Sequence, residues 1–153
     1  MAFTKTAEYA LRASVELARA AQLMNADEIA ERTRVPRPYL VKVLQQLQAA
    51  GLVESFRGKS GGWRLSPEKA HQLTLYDVVH AVDPITRVDV CLLGLEAHRE
   101  VLCPLHTAIN DAFASLEASL RGVRVLSLAC DSACPRGASV EPAGEPEPEP
   151  AYA

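Results

Sequence analysis

Apolar residues recur at helical spacing over residues 5–23, where Leu11, Val15 and Ala18 share one stripe and Arg12, Glu16 and Arg19 lie elsewhere. Asn25 has the side chain of a helix N-cap, and Glu28, three residues on, completes a capping box. A second helix is therefore predicted from Ala26 to about Thr33. Val35-Pro36-Arg37-Pro38 reads as a short stiff turn. Pro36 disfavours helical backbone at Val35, whereas Pro38 suits a first helical turn. The third helix, from about Arg37 to Ala50, turns Leu40, Val43, Leu44 and Leu47 inward. It ends at Gly51, where a C-terminal cap wants positive φ.

Periodicity then changes. Leu52-Val53-Glu54-Ser55-Phe56 alternates as a strand, and Trp63-Arg64-Leu65 is its return partner across the glycine-rich basic loop Arg57-Gly58-Lys59-Ser60-Gly61-Gly62, so a hairpin is predicted. Thr74 caps another helix through about Ala81, which Asp83-Pro84 ends. Residues 85–103 have weak periodicity and carry Cys91 and Cys103. Helical spacing returns at Leu105, Ile109, Ala112, Leu116 and Leu120. From about Gly137 the Pro/Glu/Ala composition cannot form a core, and disorder is expected. The fold class is mainly α with a small β-hairpin. A winged helix-turn-helix spans 1–82, a cysteine-bearing loop 83–104, a long C-terminal helix 105–122 and an extension 123–153.

The 153 residues suit one domain with an appendage, and with 48% hydrophobic but only 5% aromatic residues, aliphatic side chains and alanine must do the packing. The net charge of −3 argues against a nucleic-acid binder only until it is divided by region. Residues 32–64 hold Arg32, Arg34, Arg37, Lys42, Arg57, Lys59 and Arg64 against Glu54, a balance of +6, whereas 137–153 hold Glu141, Glu145, Glu147 and Glu149 and no base. No apolar run approaches the ~20 residues needed to cross a bilayer, and no secretory leader is read, so a cytoplasmic protein is expected. In a reducing compartment the four cysteines are thiols, metal ligands or redox sensors rather than structural bridges. An enzyme is not expected. There is no phosphate-binding glycine loop ahead of a helix, no suitably spaced carboxylate pair and no nucleophile elbow.

Helix, short turn, helix and hairpin form a winged helix-turn-helix, and double-stranded DNA is the expected partner. The third helix presents Arg37, Pro38, Tyr39 and Lys42 at its N-terminal end, where a helix in the major groove reaches base edges and phosphates. The wing presents Arg57, Gly58, Lys59, Ser60 and Gly61, with glycines that permit close approach to the duplex. A basic run alone would be read as a solvated surface, and the glycines as a tight turn. Charge on both the expected recognition helix and the expected wing favours DNA.

Several segments carry a resemblance over about residues 1–122. They are Thr4-Lys5-Thr6-Ala7-Glu8-Tyr9-Ala10-Leu11-Arg12, Ile29-Ala30-Glu31-Arg32, Pro38-Tyr39-Leu40, Gly51-Leu52-Val53, the wing from Arg57 to Gly62, and Val78-Val79-His80-Ala81-Val82. The chain resembles the bacterial winged-helix transcription regulators of the IscR, NsrR and CymR type. The resemblance implies a homodimer built on the C-terminal helix, and a roughly palindromic operator. Iron–sulfur members resemble one another in a three-cysteine loop ahead of the dimer helix. Here Cys91 and Cys103 stand at its outer positions, followed by His106, while Ala97 replaces the middle cysteine with His98 beside it.

The resemblance thus implies a sensor of redox, iron–sulfur or nitric-oxide status, acting most simply as a repressor. Its [2Fe-2S] cluster would be held by Cys91, Cys103, one of His98 or His106, and Glu8 from a partner subunit, since mixed cysteine and histidine ligation is established chemistry for such centres. The alternatives are a regulator without a cluster, in which Cys91 is buried and His106 caps a helix, and an interaction module that binds a metabolic enzyme. Cys130 and Cys134 would share one face of a helix; past the region of resemblance, they are read as incidental.

Overall fold

A computed structural model describes residues 3–58, 60–90, 92–94 and 103–129. The elements are α1 (Lys5–Ala20), α2 (Ala26–Thr33), α3 (Arg37–Ala49), β1 (Val53–Phe56), β2 (Gly62–Leu65), α4 (Leu75–Val82), α5 (Pro104–Arg121) and a 3-10 helix (Val125–Leu128). Three helices, a two-stranded antiparallel hairpin and two further helices follow one another in the order the residue pattern predicts.

The caps explain most boundaries. Thr4 accepts the Ala7 amide at 3.2 Å to open α1. Asn25 and Glu28 form the predicted reciprocal box on α2, and Thr74 and Asp77 do the same on α4. Gly51 follows α3 with φ +68°, the left-handed conformation glycine adopts without strain. α1 stops at Ala20, three residues short of the predicted end. Ala21 turns left-handed (φ 50°), and Met24 is drawn into extended backbone by the hairpin. The Met24 amide donates to the Trp63 carbonyl at 2.9 Å, and the Trp63 amide returns the bond at 2.7 Å. A tertiary pairing therefore ends a helix whose local pattern would continue.

The core gathers Ala10, Ala13 and Leu17 of α1 with Ile29 of α2, Leu40, Val43, Leu44 and Leu47 of α3, Val53 and Leu65 of the hairpin, and Val78 of α4. Of the predicted α1 stripe, Ala18 is buried in the core, whereas Leu11 and Val15 are only half-buried against it; most of the fully buried positions of the helix are alanines. The small side chains of Ala7, Ala10 and Ala13 let α1 lie close against α2, α3 and α4, and Leu17 is buried with them. Glu16, expected among the polar positions, is 7% exposed. Its carboxylate accepts from Arg19 and from Arg32, each at 3.1 Å, and the second bond ties α1 to the end of α2. A buried carboxylate is tolerable because both oxygens have cationic partners.

The hairpin pairs Val53 with Leu65, Glu54 with Arg64, Ser55 with Trp63 and Phe56 with Gly62. Both glycines closing its loop are sterically required. A Cβ on Gly61 would meet the Phe56 carbonyl, and one on Gly62 would meet the Met24 carbonyl. After α5 the chain returns to the helical domain. The Leu75 amide donates to Val123 and the Val125 amide to Leu73, both at 2.9 Å. α5 packs on α4, but only His106 and Leu120 of its 18 residues are buried. Leu105, on the predicted apolar stripe, is 39% exposed. Residues 130–153, with Cys130, Cys134 and the acidic extension, lie outside the described residues.

Candidate nucleic-acid interface and thiol–imidazole pair

α3 begins without a side-chain cap and without an acidic residue in its first turn. α1, α2 and α4 each place a carboxylate there. The positive end of the α3 dipole is thus left open for an anion from elsewhere. Its leucines are buried, which fixes the opposite face outward, and Arg37, Pro38, Tyr39 and Lys42 are all exposed. Tyr39 is 59% exposed, with its ring 6.4 Å from that of Tyr9. Lys42 makes no ion pair among the described residues, whereas Arg37 pairs with Asp27 at 2.5 Å. Tyr9, Tyr39, Lys5 and Lys42 line an open groove of about 820 Å³ between α1 and α3.

On the wing, Arg57, Gly58 and Ser60 are exposed and Gly61 is half-buried; Lys59 lies outside the described residues. Arg57, like Lys42, has no ion-pair partner among the described residues. Arg64 is committed locally, 2.8 Å from the Glu54 carboxylate and 4.8 Å over the Phe56 ring.

The second cluster lies at the start of α5. Cys103 is the N-cap residue, 7% exposed, and His106 in the first turn is 1% exposed. The Cys103 sulfur and His106 Nδ1 are 2.9 Å apart, and His106 Nε2 lies 2.8 Å from the Val90 carbonyl. A carbonyl only accepts, so Nε2 carries a proton and Nδ1 faces the sulfur. The His106 backbone amide, followed by its imidazole and the Leu105 amide, holds Cys103 below the ordinary thiol range. The Val90 carbonyl first, and Cys103 second, raise His106 above the ordinary imidazole range. Both shifts favour a thiolate beside an imidazolium.

Cys91 and His98 lie outside the described residues, as does Ala97. Among the described residues, no three His, Cys, Asp or Glu side chains cluster in metal-holding geometry. Glu8 pairs with Lys5 at 2.7 Å; that hydrogen bond, then the charges of Lys5 and Arg12, holds its carboxyl below the usual range.

Sequence reasoning missed the side chains that hold residues 87–90 to α5. The Val88 amide donates to Asn110 Oδ1 at 2.9 Å, and Asn110 Nδ2 donates to the Val88 carbonyl at 3.0 Å. Arg87 donates to the Asn110 carbonyl at 2.6 Å and to Glu117 at 3.0 Å. The available signal was helical spacing, since Asn110 stands four residues after His106 on the same face.

A family model named Rrf2 and described as an iron-dependent transcriptional regulator matches residues 3–131. A protein of Mycobacterium tuberculosis (strain H37Rv) named as an HTH-type transcriptional regulator is 34% identical over 127 residues, covering 80% of this chain and 75% of that protein. One of Aquifex aeolicus (strain VF5), similarly named, is 35% identical over 94 residues, covering 61% of this chain and 65% of its own length. Among solved structures, CymR, the global cysteine regulator of B. subtilis, superposes with a TM-score of 0.62 at 27% identity, over 84% of this chain and 96% of that one. T. potens IscR gives 0.63 at 22% identity, over 82% and 83%, a likeness of fold. Among the described residues, no helix is long and apolar enough to cross a membrane.

Proposed function

This chain belongs to the Rrf2 family of transcriptional regulators, and we propose from that premise that it is a homodimeric, cytoplasmic DNA-binding repressor gated at the loop ahead of α5. Its recognition helix is α3, with Arg37, Pro38, Tyr39 and Lys42 in the major groove. Its wing, Arg57 to Gly61 including Lys59, lies on the flanking backbone. The largely unburied α5 supplies the dimer interface. Two recognition helices then meet a roughly palindromic operator.

The signal is iron–sulfur, redox or nitric-oxide status. The observation that carries this reading is the orientation of His106. A metal-ligating histidine commonly donates its second ring N–H to a carbonyl, which fixes the ring and turns the other nitrogen to the metal. His106 is held in that way by Val90, with Nδ1 beside the Cys103 sulfur. The donor set fits a [2Fe-2S] cluster held by Cys91, Cys103, His106 or His98, and the partner subunit's Glu8. When bound, such a cluster supplies a one-electron centre whose potential rises with histidine ligation. The chain's own residues do the rest: Val90 fixes the tautomer, and the start of α5 stabilises negative charge on sulfur.

A second reading has one observation in its favour. The His106 backbone amide first, and then the imidazole 2.9 Å away, hold Cys103 towards the thiolate without any metal, which suits a cluster-free thiol regulator. Anaerobic reconstitution with iron and sulfide separates the two. Absorption between about 300 and 600 nm, typical of iron–sulfur chromophores, together with stoichiometric iron that is lost in Cys103→Ser and His106→Ala, supports the cluster. A colourless protein without bound iron overturns it and leaves the thiol reading.

A further inference from the structure

Residues 87–90 run alongside α5 as a strap, and three side chains of that helix face it: His106, Asn110 and Glu117, at spacings of four and seven residues. Asn110 makes the central contact. Its amide satisfies both the N–H and the C=O of Val88, as a neighbouring strand would. Asparagine is a weak helix former in mid-helix, so its place there is explained by what it holds rather than by the helix. Two residues along the strap, the Val90 carbonyl receives His106 Nε2–H, the bond that turns Nδ1 towards Cys103. At the other end, Glu117 accepts from Arg87 and from Arg121, whose guanidinium lies 3.6 Å over the Tyr76 ring in α4. The strap is therefore tied to the thiol–imidazole pair and to the helical domain at once.

We propose that Asn110 is the positioning residue of the sensor: it holds the 87–90 strap closed over His106, so that the imidazole's orientation towards Cys103 depends on a side chain that hydrogen-bonds to neither the sulfur nor the imidazole. The proposal rests on the reading that Cys103 and His106 receive the signal, but its test does not require a cluster.

The experiment uses the reduced, metal-free full chain and diethyl pyrocarbonate, which modifies accessible neutral imidazole nitrogens. The tryptic peptide 100–121 contains His106 as its only histidine, and the exposed His71 serves as internal standard. In the native chain His106 reacts far more slowly than His71. Asn110→Ala removes two hydrogen bonds from the strap and raises the His106 rate about tenfold on the alkaline plateau of its pH profile, where the imidazole is neutral in both proteins, with His71 unchanged. Asn110→Asp keeps the acceptor for the Val88 amide but loses the donor, and falls between. Val43→Ala, in the core of α3, lowers Tm at least as far without that rise, which separates strap opening from global unfolding. Equal His106 rates in the native chain and Asn110→Ala, or an equal rise in Val43→Ala, overturn the proposal. Failure to take up iron would instead sink the cluster reading and leave the strap result standing.

Discussion

Lys42→Ala and Arg57→Ala test whether the recognition helix and the wing both meet phosphate. Both side chains are exposed, and neither has an ion-pair partner among the described residues, so each brings a full charge to DNA. Removing one charge from a phosphate reduces the slope of log K against log salt by about 0.9, hence about 1.8 for two symmetric copies in a dimer. At about 0.15 M salt one such charge is worth about 1 kcal/mol, so each variant dimer should bind about thirtyfold more weakly. Arg64→Ala is the internal comparison. Its guanidinium is already neutralised by Glu54 at 2.8 Å and rests on Phe56, so its slope should change by less than half as much. The assay is fluorescence anisotropy with a labelled duplex across a salt series, using operator and unrelated sequence side by side. Phosphate contacts predict parallel weakening on both duplexes. An unchanged slope in Lys42→Ala and Arg57→Ala, or an equal change in Arg64→Ala, would refute the reasoning. No DNA binding by the native chain would favour the module that binds a metabolic enzyme.

Gly62→Ala should lower stability by about 1–3 kcal/mol, the contribution of the paired Met24–Trp63 hydrogen bonds that its Cβ would push apart, read as a fall in urea midpoint at constant m. A native midpoint would mean that the α1–α2 connection yields without losing the wing. Glu117 is held below its ordinary carboxyl range, first by its hydrogen bond from Arg121 and then by the charges of Arg121 and Arg87. A depressed carboxyl contributes stability that is fully present above its unfolded pKa and is lost as pH falls through the folded one. Glu117→Gln should therefore be less stable at neutral pH and lose less on acidification below about 4.5, in thermal melts taken across pH. Identical acid limbs for the two proteins would remove Glu117 from the account.

Much of the architecture is local in origin and so could be read from the chain. Asn25 with Glu28, Thr74 with Asp77, Pro38 at the head of α3 and Gly51 at its end act through neighbours within a few residues. The leucines of α3 determine which face is left for Arg37, Tyr39 and Lys42, because a 3.6-residue period couples one face to the other. Charge divided by region marked the same surface. The end of α1 was not legible, because it depends on Met24 pairing with Trp63, a residue 39 positions away. Nor was the inward face of α1, where closeness of packing outweighs side-chain size and leaves Glu16 buried between Arg19 and Arg32.

For the candidate sensor the division is sharper. The residue types and spacing of Cys91, Cys103 and His106 were visible in the chain, as were those of His98 and Glu8. Their chemistry depends on the direction in which a ring nitrogen points, and residue order does not encode direction. The tertiary structure decided that His106 faces Cys103 with one nitrogen and Val90 with the other, and that Asn110 grips the segment carrying Val90. These bonds link residues 3, 16 and 22 positions apart, and the two longer spans form only when the strap lies down on α5. Sequence alone determined the helices, the hairpin and the basic face, whose causes lie within a few turns of chain. Tertiary structure decided what α1 buries, which arginines are already neutralised and how the thiol is held, because each requires two distant segments to meet.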